Sequence, residues 1–301
     1  MNTKLRIDGC EAILIAGPTA SGKSKLALEL AASRNGEIIN ADSMQVYDVL
    51  QVLTARPSEA EMGGVAHHLY GHVPPGAEYS TGAWLAQAER SVADVRARGR
   101  LPILVGGTGL YFRAITGGLS DMPTIPPGVR AAWRARLEDD GVEALHAELS
   151  RRDPAMGARL KVADRQRILR ALEVIDATGK SILAFQGRGA PAVIVPERAE
   201  RIVILPDRAV LNARIGERFS RMVAGGALEE VRRLMALGLT ASSPAMKAIG
   251  VSQLREVIEG RWTQAQAIEK ATIATRQYAK RQMTWFRNQL DDGWIREAGS
   301  V

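Results

Sequence analysis

Apolar positions along the chain follow two rhythms. AILIAG (Ala12 to Gly17) is a short unbroken apolar run ending in glycine, the pattern of a strand buried on both faces. EIINADS (Glu37 to Ser43), LPILVGGTG (Leu101 to Gly109) and ERIVILP (Glu200 to Pro206) repeat that texture. Between the first two runs, Leu26, Leu30 and Ala31 recur at helical spacing, and Asn35-Gly36 supplies the stop. Strands that alternate with helices predict an α/β fold, with a mainly parallel sheet flanked by helices.

Between two breaker regions, GGLSDMPTIPPG and GRGAPAVIVPE, the strand texture disappears. Val129, Trp133 and Leu137 recur every four residues, and DRQRILRALEV turns Ile168, Leu169 and Leu172 to one side. This predicts a helical insertion over residues 118–197, splitting an α/β core into residues 1–117 and 198–301. The last part of the chain is helical again. Lys270 to Arg287 holds five basic residues and no acidic one, interleaved with Tyr278, Trp285 and Phe286.

Charge adds a partner class to this outline. The net charge of +7 and pI of about 9.8 favour a polyanionic partner such as a nucleic acid. The single cysteine, Cys10, excludes an internal disulfide and fits a reducing cytoplasm. The N-terminal stretch MNTKLRIDGCEAILIAG reads as neither a signal peptide nor a membrane span, because its apolar run is too short. The expectation is a cytoplasmic, monomeric protein with no membrane contact.

The chemistry begins at GPTASGKS: Gly17, Pro18, Thr19, Ala20, Ser21, Gly22, Lys23 and Ser24. A glycine-rich loop between a strand and a helix cradles phosphates on its backbone N–H groups and the helix N-terminus. Lys23 adds charge, and the Ser24 hydroxyl suits Mg2+ that takes its other ligands from diphosphate oxygens. The loop specifies a phosphate chain and no more. A strand-end carboxylate of the kind that serves ATP or GTP hydrolysis is absent from LPILVGG, and Asp207 follows a proline. Asp42 does end a strand, which puts it near the ligand crevice as metal ligand, general base or helix cap. GGTGLY brings Thr108 to the same edge, and Arg214 with Arg218 present two guanidinium groups four residues apart; Arg221 reads as surface. His67 and His68 would face opposite ways in a strand and read as structural or polar wall residues. Arg167 and Arg170, three apart on a helix, can grip neighbouring phosphates.

GPTASGKS, ADSMQVY, AHHL, LVGGTGLYFRA, DRQRILRALEV, RFSRM, AIG and TRQYAKRQMTWFR occur in that order. The set resembles the tRNA dimethylallyltransferase family, from about Ile13 to Arg287. The resemblance implies a P-loop NTPase-like core with a helical insertion. It also implies transfer of a dimethylallyl group from dimethylallyl diphosphate to N6 of the adenine immediately 3′ of the anticodon. The tRNAs concerned read codons beginning with U, and the enzyme's contact would be the anticodon stem-loop. On this resemblance Asp42 accepts the N6 proton, and Lys23, Ser24, Thr108 and Arg218 surround a Mg2+-bound diphosphate. Asp42, Ser43, Met44, Gln45, Thr108, Arg130, Gln166, Arg167, Ile168, Leu169, Arg170, Lys247 and Gly250 match positions that meet tRNA. The chain departs from the family at Gln51, Leu53 and Arg56, where aspartate, glycine and lysine are usual, and at Ala66, usually proline. Three rival readings follow from the loop: a small-molecule P-loop kinase, a prenyltransferase acting on free AMP or ADP, and a nucleotide-gated RNA-binding protein.

Overall fold

The computed structural model describes residues 9–118, 120, 122–187, 189 and 191–299. The N-terminal reading therefore falls partly outside the described residues, at 1–8, as do positions 119, 121, 188 and 190 of the two breaker regions.

The first apolar run is β1, Ala12–Ala16, buried at every position. Helix α1, Lys23–Ser33, follows the loop and turns Ala27, Leu30 and Ala31 inward. Asn35, at φ 52, reverses the chain into β2, Gly36–Asn40. That strand ends before Ala41, earlier than the apolar pattern predicts, because Ala41 is already committed to the site turn described below. The two-residue β3, His67–His68, precedes α2, Thr81–Ala97, and β4, Leu101–Gly106. Helix α3, Gly109–Ile115, closes the first half of the core.

Gly117–Pro191 forms a compact unit of its own. Its helices are α4, Pro127–Asp139, α5, Gly141–Arg152, and α6, Arg165–Thr178. Trp133, Leu137, Leu145, Leu149, Ile168 and Leu172 build its apolar centre. Burying each such side chain contributes about 1.5–3 kcal/mol, enough together for the unit to hold a core of its own. Trp133 Nε1 donates to Asp176 at 2.6 Å, so the indole enters that core with its polar atom satisfied.

The chain returns to the larger unit, Met1–Thr116 with Ala192–Val301, through β5, Ala199–Ile204. Then come α7, Arg208–Ala224, α8, Ala227–Ala236, α9, Val251–Ile258, the long α10, Gln264–Gln289, and β6, Ile295–Glu297. Helix α10 opens on a reciprocal cap: Thr263 Oγ1 accepts the Gln266 N–H, while Gln266 Oε1 accepts the Thr263 N–H. The sheet order is β3-β2-β4-β1-β5-β6, and all the pairings are parallel. Strand β1 lies between β4 and β5, so the loop leaving its carboxyl end emerges at the middle of the sheet, where such folds bind ligands. Among the described residues, no helix is long and apolar enough to cross a membrane.

Candidate active site at the phosphate loop

The loop is held in a shape that leaves its donors for a ligand. Ala20 (φ 63) and Gly22 (φ 91) take left-handed conformations, and no side chain caps the start of α1. An uncapped helix start has N–H groups without intrahelical partners, so it suits an anion. Gly17 lies so close to the loop's far end that a Cβ there would stand 2.7 Å from Ser21 Oγ and 3.1 Å from the Ile204 carbonyl. Ser21 Oγ itself is buried without a hydrogen-bond partner.

Lys23 Nζ donates to the Pro18 carbonyl at 3.2 Å, folding over the loop. Burial pushes its ammonium down to about 8, an effect that neighbouring Arg218 strengthens and Asp42 opposes. Burial also lowers Arg218, again against the pull of Asp42. A guanidinium stays charged even so. The two cations and one carboxylate form a mutually coupled group in which an incoming polyanion would relieve the cationic repulsion.

Asp42 is fixed by a chain of bonds from the strand ends. Asn40 Oδ1 accepts the Asp42 N–H at 2.8 Å, while Asn40 Nδ2 donates to the Asp42 and Leu69 carbonyls, both at 3.0 Å. Asp42 Oδ1 accepts the Met44 N–H at 2.9 Å. This turn replaces the helix cap that Asp42 could have formed, for no helix begins here. Thr108 is locked to the same turn: its Oγ1 accepts the Ser43 N–H at 2.9 Å and donates to Ser43 Oγ at 3.2 Å. Its own N–H donates to the Ala41 carbonyl at 3.2 Å. The β4 glycines permit this approach. A Cβ on Gly106 would overlap the Ala41 carbonyl, and one on Gly107 would stand 3.1 Å from Asp42 Oδ2.

Two cavities meet at Asp42. One, of about 190 Å³, is lined by Ala20 to Lys25 of the loop and helix start, with Gln45. The other, of about 360 Å³, has apolar walls from Leu53, Ile215, Phe219, Met222 and Ile249, with Tyr278 and Lys247 beside them. Thr19, Asp42, Thr54 and Arg218 line both. An anion cradle therefore opens beside an apolar chamber, with a carboxylate at the join. Burial raises the Tyr278 phenol, with Asp42 adding to the shift, so it stays a neutral hydroxyl at that wall.

The remaining predicted residues divide by place. Gln45 spends its amide on the Thr54 and Ala55 carbonyls, at 3.0 and 2.9 Å, securing the segment that carries the family departures. Gly250 (φ 103) is buried, and a Cβ there would press on Leu53 at 2.6 Å and Phe219 at 3.0 Å. It packs behind two residues of the chamber wall. Arg130, Gln166, Arg167, Ile168, Leu169 and Arg170 belong to the smaller unit. Ile168 is wholly buried there, which corrects its expected place in an RNA contact; Leu169 packs beside it. Gln166 and Arg167 are exposed, whereas Arg170 bonds the Pro123 carbonyl at 3.4 Å and lies 3.6 Å from Glu173. Asp207 caps α7 through the Ala209 N–H. His68 pairs with Glu37 at 2.7 Å, and His67 bonds the Val65 carbonyl at 2.8 Å.

Two residues escaped the sequence reading. Glu230 is buried in α8 and accepts the N–H groups of Gln51, Val52 and Leu53 at 2.6–2.8 Å. Gln282 is buried in α10 between the phosphate loop and the β4 glycines. Its signal was present as spacing: Thr275, Tyr278, Gln282 and Trp285 fall on one helical face.

Comparison with known proteins decides the family. The IPP transferase profile matches residues 45–289, and an isopentenyl transferase profile matches residues 10–70. The chain belongs to the IPP transferase family. Within the family it is 62% identical to a tRNA dimethylallyltransferase of Rhizobium etli, over 95% of this chain and 96% of that one. A tRNA dimethylallyltransferase of Agrobacterium fabrum is 60% identical over 95% and 96% of the two chains. Among solved structures, the tRNA isopentenylpyrophosphate transferase of Bacillus halodurans superposes with a TM-score of 0.67 at 35% identity, covering 95% and 89%. A eukaryotic dimethylallyltransferase acting on tRNA gives 0.77 at 27% identity, covering 91% and 69%. These family structures share the P-loop NTPase-like fold.

Proposed function

We propose that this chain transfers the dimethylallyl group of dimethylallyl diphosphate to N6 of the adenosine 3′-adjacent to the anticodon in tRNAs reading codons that begin with U. One observation carries the reading: Asp42 stands where the loop cavity joins the apolar-walled chamber. A hydrolase of nucleotides has no use for a chamber of Leu53, Ile215, Phe219 and Met222 beside its phosphates. A five-carbon apolar chain does. The likeness to the tRNA dimethylallyltransferases of Rhizobium etli and Agrobacterium fabrum supports the same chemistry.

In the reaction the N6 lone pair attacks the allylic carbon bearing oxygen. The C–O bond breaks, its electron pair leaves with the diphosphate, and the N6 proton passes to Asp42. Lys23, Arg218 and the N-terminus of α1 stabilise the charge gathering on the departing diphosphate. Thr108 holds Ser43, and Asn40 and Met44 hold Asp42, so the base is oriented before substrate arrives. Alignment of this kind can lower a barrier by about 7–11 kcal/mol. The adenine must leave the anticodon stack to reach the chamber, at a cost of a few kcal/mol. Basic surfaces of α6 and α10 would offset that cost through phosphate contacts.

Mg2+ fits the donor set. Ser24 is exposed at the first turn of α1 and lines the loop cavity, so its hydroxyl is the oxygen donor offered to an ion that otherwise takes diphosphate oxygens. Among the described residues no group of three or more His, Cys, Asp or Glu forms a cage, which suits an ion taking most of its ligands from phosphate and water. When bound, Mg2+ neutralises diphosphate charge, with Ser24 holding it. The protein would act as a cytoplasmic monomer.

Incubation with labelled dimethylallyl diphosphate, Mg2+ and unmodified tRNA, followed by digestion to nucleosides, tests the proposal. Prenylated adenosine is expected. Steady ATP turnover on a small acceptor, with the tRNA left unlabelled, would select the kinase reading instead.

A further inference from the structure

Gln282 sits deep in the core, 6% exposed, on a helix whose neighbouring positions are rich in arginine and lysine. Its amide spends both ends on the site. Oε1 accepts the Thr19 N–H of the phosphate loop at 3.0 Å, and Nε2 donates to the Gly107 carbonyl at 2.9 Å. These partners lie 263 and 175 residues away in sequence. One belongs to the anion cradle; the other begins the turn that bears Thr108. Glycine at 107 is what admits the amide, since a Cβ there would overlap Nε2.

Resting on the proposed transfer reaction, we infer that Gln282 is a positioning residue setting the distance between the diphosphate cradle and the base-bearing turn. The cradle fixes where the allylic carbon lies. Thr108 and Ser43 fix where Asp42 lies. Strand pairing joins β1 to β4 only as far as Ala16 and Gly106, so beyond the strand ends the two loops need another tie. The Gln282 amide is that tie. A neutral amide of this length accepts at one end and donates at the other at any pH; an ionised carboxylate would set an acceptor against the Gly107 carbonyl.

This makes a pattern that simple packing would not produce. Gln282→Met keeps the shape and removes both bonds. At saturating donor and tRNA its kcat should fall about 10- to 100-fold, the scale of an ångström misplacement of reacting groups. Its affinity for inorganic diphosphate should change by less than about threefold, because Lys23, Arg218 and the α1 N-terminus are untouched. Gln282→Glu supplies the second measurement. Protonated, it can again donate to Gly107 while accepting from Thr19; ionised, it cannot. Its activity relative to the unsubstituted protein should therefore climb as pH falls from 8 to 5, while that of Gln282→Met stays flat.

Equal losses of kcat and diphosphate affinity in Gln282→Met would overturn the alignment role and leave a cradle-building one. So would a kcat within twofold of normal, or a flat pH ratio for Gln282→Glu. Absence of transfer by the unsubstituted protein is a separate outcome. It would overturn the reaction itself, and this inference with it.

Discussion

The phosphate-loop corner and helix α6 of the smaller unit both offer charge to an anion, yet they are built in opposite ways. At the corner the base, the turn that bears it and the loop are tied down by backbone or buried amides: Asp42 by Asn40 and Met44, Thr108 by Ser43 and Ala41, the loop by Gln282. On α6 the outward groups are barely held. Arg167 is exposed, with Asp164 3.6 Å away as its ion pair, and below it Ile168 and Leu172 anchor the helix in a core of its own. The first arrangement fixes atoms before the ligand comes. The second gives a charged surface that adapts to a flexible polyanion. Preorganisation acts on rate, surface charge on affinity, and substitutions should separate the two.

The largest effect is expected at the corner. Asp42→Ala removes the proton acceptor while leaving the chamber and the α6 surface in place. Single-turnover transfer should slow by about 10²–10⁴-fold, the usual worth of a positioned base, with tRNA binding retained. Transfer at the normal single-turnover rate would take Asp42 out of that role. A parallel loss of tRNA affinity would blur the contrast with α6.

Lys23 gives the next effect, through protons. Its ammonium is held at about 8 in the free protein, chiefly by burial. A bound diphosphate favours the charged form and raises it, so binding at pH 9 should take up close to one proton at Lys23. At pH 7 the group is already charged and uptake there should be small. Affinity should weaken as pH rises through 8, by up to about tenfold per unit. Calorimetry in buffers of different ionisation enthalpy reads this uptake. Lys23→Arg binds the same ligand without it, so the ligand's own protons cancel in the comparison. Equal uptake in both proteins would remove Lys23 from the anion's contacts. In the free protein the same depression makes stability rise with pH between about 8 and 10.5, because the unfolded chain holds the extra proton there.

The contrast also explains what could be read from the chain. The phosphate loop, β1, β4 and α1 were legible because their demands are local: an apolar run, glycines at set places, a helix stop at Asn35. Asp42 and Thr108 were legible because strand ends converge on one edge. Gln282 and Glu230 were not, since each bonds backbone groups far away in sequence; spacing puts Gln282 on one helical face with Tyr278 but does not say what its amide bonds. The edge strands β3 and β6 escaped because two or three residues show no period. Gln45, expected at the RNA, lines the loop cavity and turns its Nε2 to the Thr54 and Ala55 carbonyls, a bracing bond that a motif match does not show.

The smallest effect belongs to α6. Arg167→Ala removes a charge whose side chain is 73% exposed, so folding and donor binding should be unchanged. tRNA affinity should fall only a few-fold. The more telling measure is its salt dependence: the slope of log K against log salt should flatten by about 0.7–0.9, the counterion released for one phosphate contact. Arg170 is a poorer probe, because its bond to Pro123 and its ion pair with Glu173 mix local stability into the result. If Arg167→Ala lowered kcat with affinity and salt slope intact, α6 would be acting on alignment as the corner does. The division between a rigid chemical corner and a charged adaptable helix would then fail.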